Sequence, residues 1–225
     1  MQIINKKEHE RTFARYIHDF GVITSRWLKM KDERLKEDSE GLIERAEILK
    51  RWEIRNKIVL DIGAGPLAII AARDFNCTVT NIDISEDAFS DVKRDAEREG
   101  VTDRITFERV DATSLSYPDD CFDVVISYGA LHHIEIGKRR QCIQEACRVA
   151  SEKVIVAEFS SKGFRKFHAV SDLKPVALDW LEYELESRGV LDKYYGTQMN
   201  VYALLSITVN VSISCCVFTS PSGTV

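Results

Sequence analysis

The chain has 225 residues, which is enough for one large domain or for one domain with an appendage. Hydrophobic residues make up 44% and charged residues 30%, a globular composition that excludes collagen-like, coiled-coil-only and wholly disordered chains. The formal net charge of -5 offers no general attraction to phosphate backbones or anionic lipids. We therefore expect neither nucleic acid nor a membrane as a partner.

Residues 1–56 have the apolar spacing of helices. Phe13, Tyr16 and Phe20 follow a helical period, and a later helix is predicted after Ser39. We expect this region to form a helical cap that covers part of an active-site mouth. The first residues lack the apolar run of a secretory signal, and the six cysteines form no C-x-x-C pair. The sequence therefore predicts a cytoplasmic protein with reduced thiols.

From residue 57 to about 207, short apolar runs alternate with amphipathic helices. This alternation is typical of a doubly wound, mostly parallel α/β sheet, and is similar in outline to a Rossmann fold. The predicted strands are 58–62, 79–84, 105–110, 122–127 and 153–159, and the predicted helices are 66–75, 86–99, 137–150 and 173–188.

The C-terminal region is uncharged from residue 194 onward. Residues 199–207 predict a final strand, and residues 208–225 form a β-prone tail in which apolar and polar residues alternate. A membrane span over 201–218 is the alternative, but regularly spaced polar residues interrupt it. We therefore expect a C-terminal antiparallel strand region rather than a membrane anchor.

The candidate ligand site begins where the first strand runs into a glycine turn, in the segment IVLDIGAGPLA. Gly63 and Gly65 lack a Cβ, so their backbone can approach a ligand closely. A G-x-G turn is weak evidence alone, because dinucleotide-binding folds share it. Asp61 precedes the turn by two residues, and its carboxylate would repel a pyrophosphate but suit an ammonium group and a sulfonium centre. This favours S-adenosylmethionine over NAD.

Two further carboxylates follow the next strands. Asp83 lies 20 residues after Gly63, where it can accept hydrogen bonds from ribose hydroxyls. Asp111 follows the third strand and can accept from an exocyclic amine such as adenine N6. Because the carboxyl ends of parallel strands meet in one crevice, we expect Asp61, Asp83 and Asp111 to face a common ligand.

These motifs resemble the class I S-adenosylmethionine-dependent methyltransferases, particularly the small-molecule branch that includes ubiquinone and menaquinone biosynthesis enzymes. The resemblance covers roughly residues 56–160, including the D-x-G-x-G-like loop, the D-A pair and the segment SYGALHHI at 127–134. It implies S-adenosylmethionine as cofactor. The cofactor-binding residues that follow from the motifs and the resemblance are Asp61, Gly63, Gly65, Asp83, Ile84, Asp111, Ala112 and Ser127. Leu67 replaces the family's third glycine and would add bulk beside the cofactor.

Methyl transfer mainly requires orientation, and a base is needed only when the acceptor must lose a proton. His132 and His133 follow the fourth strand and are the catalytic candidates, with His168 a weaker one. The sequence predicts no metal site. We expect methyl transfer to a small-molecule acceptor. An NAD-dependent oxidoreductase and a non-catalytic S-adenosylmethionine-binding partner subunit remain the alternatives, and the oligomeric state stays open.

Overall fold

Seven strands form one mixed sheet in the computed structural model, which describes residues 34–205. The order is β3-β2-β1-β4-β5-β7-β6; the first five are parallel and β7 pairs antiparallel with both β5 and β6. The strands are β1 Ile58–Ile62, β2 Thr78–Asp83, β3 Ile105–Arg109, β4 Phe122–Tyr128, β5 Ala150–Phe159, β6 Val190–Tyr195 and β7 Met199–Leu205. The predicted doubly wound sheet with a C-terminal antiparallel region is confirmed.

Helices cover both faces of the sheet because successive side chains of each buried strand point to opposite sides. Val59 packs into one hydrophobic cluster with the apolar faces of α1 to α3, whereas Leu60 packs into a second cluster with α4 and α6. The α-helices are α1 Arg45–Arg51, α2 Leu67–Phe75, α3 Phe89–Glu99, α4 Arg139–Val149, α5 Ser161–Phe167 and α6 Leu178–Glu186.

Several boundaries differ from the sequence predictions. The helix expected after Ser39 begins only at Arg45, and the helix expected over 173–188 is limited to α6. Helix α5 lies in a stretch that the sequence analysis left without an element, where the side chain of Ser160 caps it by accepting from the Gly163 N–H at 3.1 Å. Strand β6 was also missed. Leu67 is only 2% exposed and its side chain packs in the core.

Residues 34–44 fold into a tight hairpin, with an antiparallel bridge between Glu37 and Ile43, which contacts both the β6–β7 turn and the end of β4. The Thr197 N–H donates to Glu37 Oε1 at 2.7 Å, and the Tyr128 hydroxyl donates to the Ile43 carbonyl at 2.8 Å. Ile43 is fully buried. The segment is therefore fixed beside the carboxyl ends of the parallel strands. The predicted helices before residue 34 and the predicted tail strand at 209–218 lie outside the described residues.

Within residues 34–205, no helix combines the length and the apolar character needed to cross a membrane. The same part of the chain contains four cysteines, all as free thiols. Burial raises the pKa of Cys142 to about 12, so this thiol stays protonated and acts as a small core side chain.

Candidate cofactor and acceptor site

The glycine turn is held tightly against the neighbouring strands. Gly63 has a φ of +100°, a conformation that L side chains rarely adopt, and its N–H donates to the Ile82 carbonyl at 2.8 Å. A Cβ at this position would lie 2.9 Å from the Cβ of Ala130. The turn therefore requires glycine here for both backbone and space. Gly65 follows in open surroundings, with nothing within 4 Å of a Cβ built there.

Asp61 is a buried acid in β1, 2% exposed. Desolvation raises the pKa of its carboxyl from 3.8 to about 8, although Arg45, the Ala68 N–H and Asn81 each oppose the rise. Asn81 lies opposite on β2, and its side-chain amide donates to Asp61 Oδ2 at 3.0 Å and to the Gly63 carbonyl at 2.9 Å. The carboxyl is therefore fixed in position, but the neighbouring groups do not offset the cost of burying its negative charge.

Asp83 connects the glycine turn to the end of β2. Its Oδ2 accepts from the Ala64 N–H at 3.0 Å, and its Oδ1 accepts from the Ser85 N–H at 2.9 Å. Each carboxylate oxygen can accept a further hydrogen bond. Next to it, the Ile84 side chain is 65% exposed, an apolar surface that a flat ring can cover. The predicted ribose and adenine positions are thus adjacent to the glycine turn.

Asp111 caps its own turn after β3. Its Oδ1 accepts from the backbone N–H of Thr113 at 2.9 Å and from the Thr113 hydroxyl at 2.7 Å, and these bonds lower the pKa of the carboxyl. Ala112 is buried beside it, and Ser127 lies near the end of β4 in register with Ile62. All the predicted cofactor residues therefore lie at the carboxyl edge of the parallel strands, although Asp111 also has a capping role.

Imidazole and phenyl rings cluster beside this edge. His132 and His133 lie in a short 3-10 turn, Leu131–His133, with ring centroids 4.3 Å apart. The ring of His168 lies 4.6 Å from that of His132, and Phe159 and Phe164 make edge contacts with His132 at 5.2 and 5.7 Å. The structure thus brings all three histidines of the sequence analysis together. We call these five rings the histidine cluster.

Glu158 lies beneath the cluster and is completely buried. Its Oε1 is 2.9 Å from His132 Nδ1 and accepts from the Phe159 N–H at 2.8 Å, while its Oε2 accepts from the His132 N–H at 3.2 Å. The other ring nitrogen, His132 Nε2, is buried and has no hydrogen-bond partner among residues 34–205. The pair therefore fixes the Nδ1 side of the imidazole, and Nε2 is buried without a partner in this part of the chain.

Arg139 holds the histidine turn from the opposite side. Its guanidinium donates to the carbonyls of His132 at 3.2 Å and Ile134 at 3.0 Å, and to those of Lys174 at 2.6 Å and Pro175 at 2.8 Å. The residue is only 4% exposed. One side chain therefore joins the turn after β4 to the segment before α6.

The sequence analysis missed four polar residues of this site: Asn81, Glu158, Arg139 and Arg45. Asn81 and Glu158 had a signal, because each is a polar residue inside an apolar strand, VTNIDI and KVIVAEF. The Cζ of Arg45 lies 4.0 Å from the centre of the Tyr128 ring, and no motif indicated it. Within residues 34–205, no group of His, Cys, Asp or Glu side chains is arranged to hold a metal ion.

The part of the chain that is similar to known proteins includes the glycine turn and the ends of the parallel strands. Residues 59–153 match the family model described as "Methyltransferase domain". The chain is 41% identical over 93 residues to 27-O-demethylrifamycin SV methyltransferase of Amycolatopsis mediterranei, covering 40% of this chain and 34% of that protein. It is 30% identical over 139 residues to ubiquinone/menaquinone biosynthesis C-methyltransferase UbiE of Rickettsia massiliae, covering 55% of each. The chain thus spans between a third and just over half of these relatives.

The fold is also found in solved structures. Magnesium protoporphyrin IX methyltransferase of Synechocystis, crystallised with bound S-adenosylmethionine, superposes with a TM-score of 0.54 at 17% identity, covering 71% of this chain and 75% of that one. At this identity the likeness supports the fold alone.

Proposed function

We propose that this protein, whose residues 59–153 match a methyltransferase domain, is a class I methyltransferase that transfers the methyl group of S-adenosylmethionine to a small-molecule acceptor. The observation that carries the proposal is the buried, under-compensated carboxyl of Asp61 beside the Gly63 turn. A cationic ammonium group favours ionisation of such a carboxyl and then pairs with it, whereas the negative pyrophosphate of NAD would oppose this ionisation and gain no attraction.

The residues at the carboxyl edge fit the remaining parts of the cofactor. We assign the methionine portion to Asp61 and the turn through Gly63 and Gly65, and the ribose hydroxyls to Asp83. The adenine is assigned to the exposed side chain of Ile84 and to Asp111, with Ala112 and Ser127 completing the surface. A Cβ at Gly63 would lie 2.9 Å from the Cβ of Ala130, so the turn keeps this close approach only with glycine. The cofactor, when bound, supplies an electrophilic methyl group.

Arg45 extends the same assignment. It lies close enough to lower the pKa of Asp61, and it is stacked on Tyr128. A cation beside an acid matches a zwitterionic amino-acid group, with the ammonium on Asp61 and the carboxylate on Arg45. Because Arg45 follows the segment 34–44, this contact would link the N-terminal region to cofactor binding.

A small-molecule acceptor is supported by the chemistry of the surroundings. The histidine cluster offers aromatic and imidazole surface at the end of β4 and β5, which suits a flat organic compound more than a polyanion. The names of the rifamycin and quinone methyltransferases describe small acceptors, and we extend this class to the present chain. Residues 1–56 would cover the rest of the acceptor site. The free thiols suit a reducing compartment, so we place the protein in the cytoplasm.

Native mass spectrometry with S-adenosylmethionine, S-adenosylhomocysteine and NAD tests the proposal. We expect the two sulfur compounds to bind at equal stoichiometry and NAD not to bind. Asp83→Asn keeps the size of the side chain but removes its charge, so it should lose most of the complex. Binding of NAD in preference to S-adenosylmethionine would overturn the proposal. A methyl-transfer screen then separates an enzyme from a binding subunit.

A further inference from the structure

Strand β6 is the last strand of the sheet on the β7 side, and its outer edge has no partner strand among the described residues. At the turn, the Gly196 N–H donates to the Met199 carbonyl at 2.9 Å. Backbone groups along an antiparallel pair alternate in direction, so the N–H and C=O groups of Leu191, Lys193 and Tyr195 point away from β7. Strand β6 therefore has an open hydrogen-bonding edge in the described part of the chain.

This edge lacks the usual protection of edge strands, which is an exposed charge, a proline or a bulge. The pairing of β6 with β7 is continuous, and β6 contains no proline. Both of its charged side chains are engaged. Lys193 Nζ pairs with Glu182 and Glu186 of α6 at 3.1 and 2.8 Å, and Asp192 is buried, where it accepts from Trp52. We therefore expect another segment to cover the edge.

Aromatic surface adjoins the edge on the α6 side of the sheet. Tyr183 of α6 is 69% exposed and Tyr195 of β6 is 59% exposed. The Tyr195 hydroxyl donates to Glu182 Oε1 at 3.1 Å, so this ring lies on the same side of the sheet as α6. A strand with an apolar face on that side would cover aromatic surface together with the open backbone groups.

Residues 206–225 follow β7 directly and have the pattern of such a strand. Apolar and polar residues alternate from Val209 to Val217, and the whole tail is uncharged. Leu205, the last residue of β7, is paired with Val190, the first residue of β6. The outer side of β6 is two strand spacings away, roughly 10 Å. Four Cα steps from Leu205 to Val209 extend about 13 Å, so the tail can reach it.

We propose that residues 209–218 form an eighth strand that pairs with the outer edge of β6 and turns its apolar side chains toward α6. The new strand runs parallel to β6, because so short a connection leaves β7 beside the start of β6. The outward backbone groups of Leu191, Lys193 and Tyr195 are then paired. The apolar side chains of the tail cover the exposed ring of Tyr195.

A second copy of the chain would compete for the same edge. A two-fold axis at the middle of β6 pairs this strand antiparallel with itself, which sets either two copies of Asp192 or two copies of Lys193 directly opposite each other. Like charges in that arrangement are destabilising. The uncharged tail meets no such repulsion, so we assign the edge to the tail.

Hydrogen exchange, followed by NMR for each amide, tests the pairing. The N–H groups of Leu191, Lys193 and Tyr195 should exchange at least about tenfold more slowly in the full chain than in a variant that lacks residues 208–225. The Asp192 N–H points toward β7 and is the internal control, so its exchange should change much less. Equal exchange of the three outward amides in the two folded proteins would overturn the proposal.

Two adjacent cysteines test the strand in chains of full length. Neighbouring residues of a strand point to opposite faces, so Cys215 belongs to the apolar face against α6 and Cys216 to the opposite face. In the single variants Cys216→Ser and Cys215→Ser, a maleimide should label the remaining tail thiol at least about tenfold more slowly when it is Cys215. Equal labelling rates would show that neither face is covered and would contradict the proposal.

A matched pair of substitutions tests which face of the tail is covered. Ile213→Lys places a charge on the apolar face and should abolish the slow exchange of the Lys193 amide, whereas Ser214→Lys places the same charge on the opposite face and should preserve it. Slow exchange that survives Ile213→Lys would refute the assigned face. Slow exchange in the truncated chain that increases with protein concentration would assign the edge to a second copy instead.

Discussion

Replacing Asp61 by asparagine should stabilise the ligand-free protein at high pH while weakening its binding of S-adenosylmethionine. The carboxyl has a pKa of about 8 in the folded protein against 3.8 ordinarily. A raised acid pKa means that the folded state favours the protonated form. Stability from this group is therefore complete below pH 3.8 and is lost as the pH rises toward 8.

The magnitude follows from the size of the shift. Each pKa unit corresponds to roughly 1.4 kcal/mol, so the unaltered protein should lose up to about 4 kcal/mol between pH 5 and pH 8 through this group. This is an upper value, because relaxation and water entry reduce the cost of a buried charge. Asparagine keeps the shape and does not ionise. Between pH 5 and pH 8, the free energy of unfolding of the variant, relative to that of the unaltered protein, should therefore rise by at least about 1 kcal/mol.

Urea unfolding at pH 5 and pH 8 measures this difference, since contributions from other groups cancel between the two proteins. Asp111→Asn is the matched control. Bonds from Thr113 lower the pKa of its carboxyl below the ordinary 3.8, so this group is ionised in the folded and the unfolded protein at both pH 5 and pH 8, and the stability difference of this variant should be the same at the two pH values. Calorimetry should show that Asp61→Asn weakens S-adenosylmethionine binding by about 2 kcal/mol. An Asp61→Asn stability difference independent of pH, together with unchanged affinity, would refute the reasoning.

Four further changes test separate parts of the site. Asp83→Ala should weaken S-adenosylmethionine binding by roughly 2–4 kcal/mol, measured by calorimetry, because the ribose and the Ala64 N–H both lose their acceptor. Gly63→Ala should fold with a lower melting temperature, because its Cβ strains the turn and meets Ala130, and should show no ligand-induced rise; a full rise would count against the turn. Arg139→Lys should lower the free energy of unfolding by about 1–3 kcal/mol, since one ammonium cannot satisfy four carbonyls. Deleting residues 208–225 should leave cofactor affinity nearly unchanged, and a well-folded truncation without affinity would contradict our domain boundary.

The central strands and the glycine turn could be predicted because their signals are local. A buried parallel strand is a continuous apolar run, and β1 was predicted with its observed bounds. Strand β6 lacked that signal, since it is an edge strand that contains Asp192 and Lys193. Asp192 is nevertheless buried, where Trp52 donates to it at 3.1 Å. The burial of Asp192 follows from the packing of the end of α1 against β6, which the sequence of β6 alone does not indicate.

The aspartates of the site could be predicted because parallel strands bring their carboxyl ends together. Their positions at or just after strand ends were enough to predict that Asp61, Asp83 and Asp111 belong to one site. The pairing of His132 with Glu158 could not be predicted, because the two are 26 residues apart and meet only through the register of β4 and β5. The same holds for Arg139, whose four carbonyl partners come from two separate segments.

The most direct test of the central claim is titration calorimetry of the full chain with S-adenosylhomocysteine, run in parallel with NAD and repeated on Asp83→Asn. The account predicts one S-adenosylhomocysteine site per chain, no NAD site, and a loss of affinity of at least tenfold in the variant. Equal affinity of the folded variant, or binding of NAD alone, would contradict it.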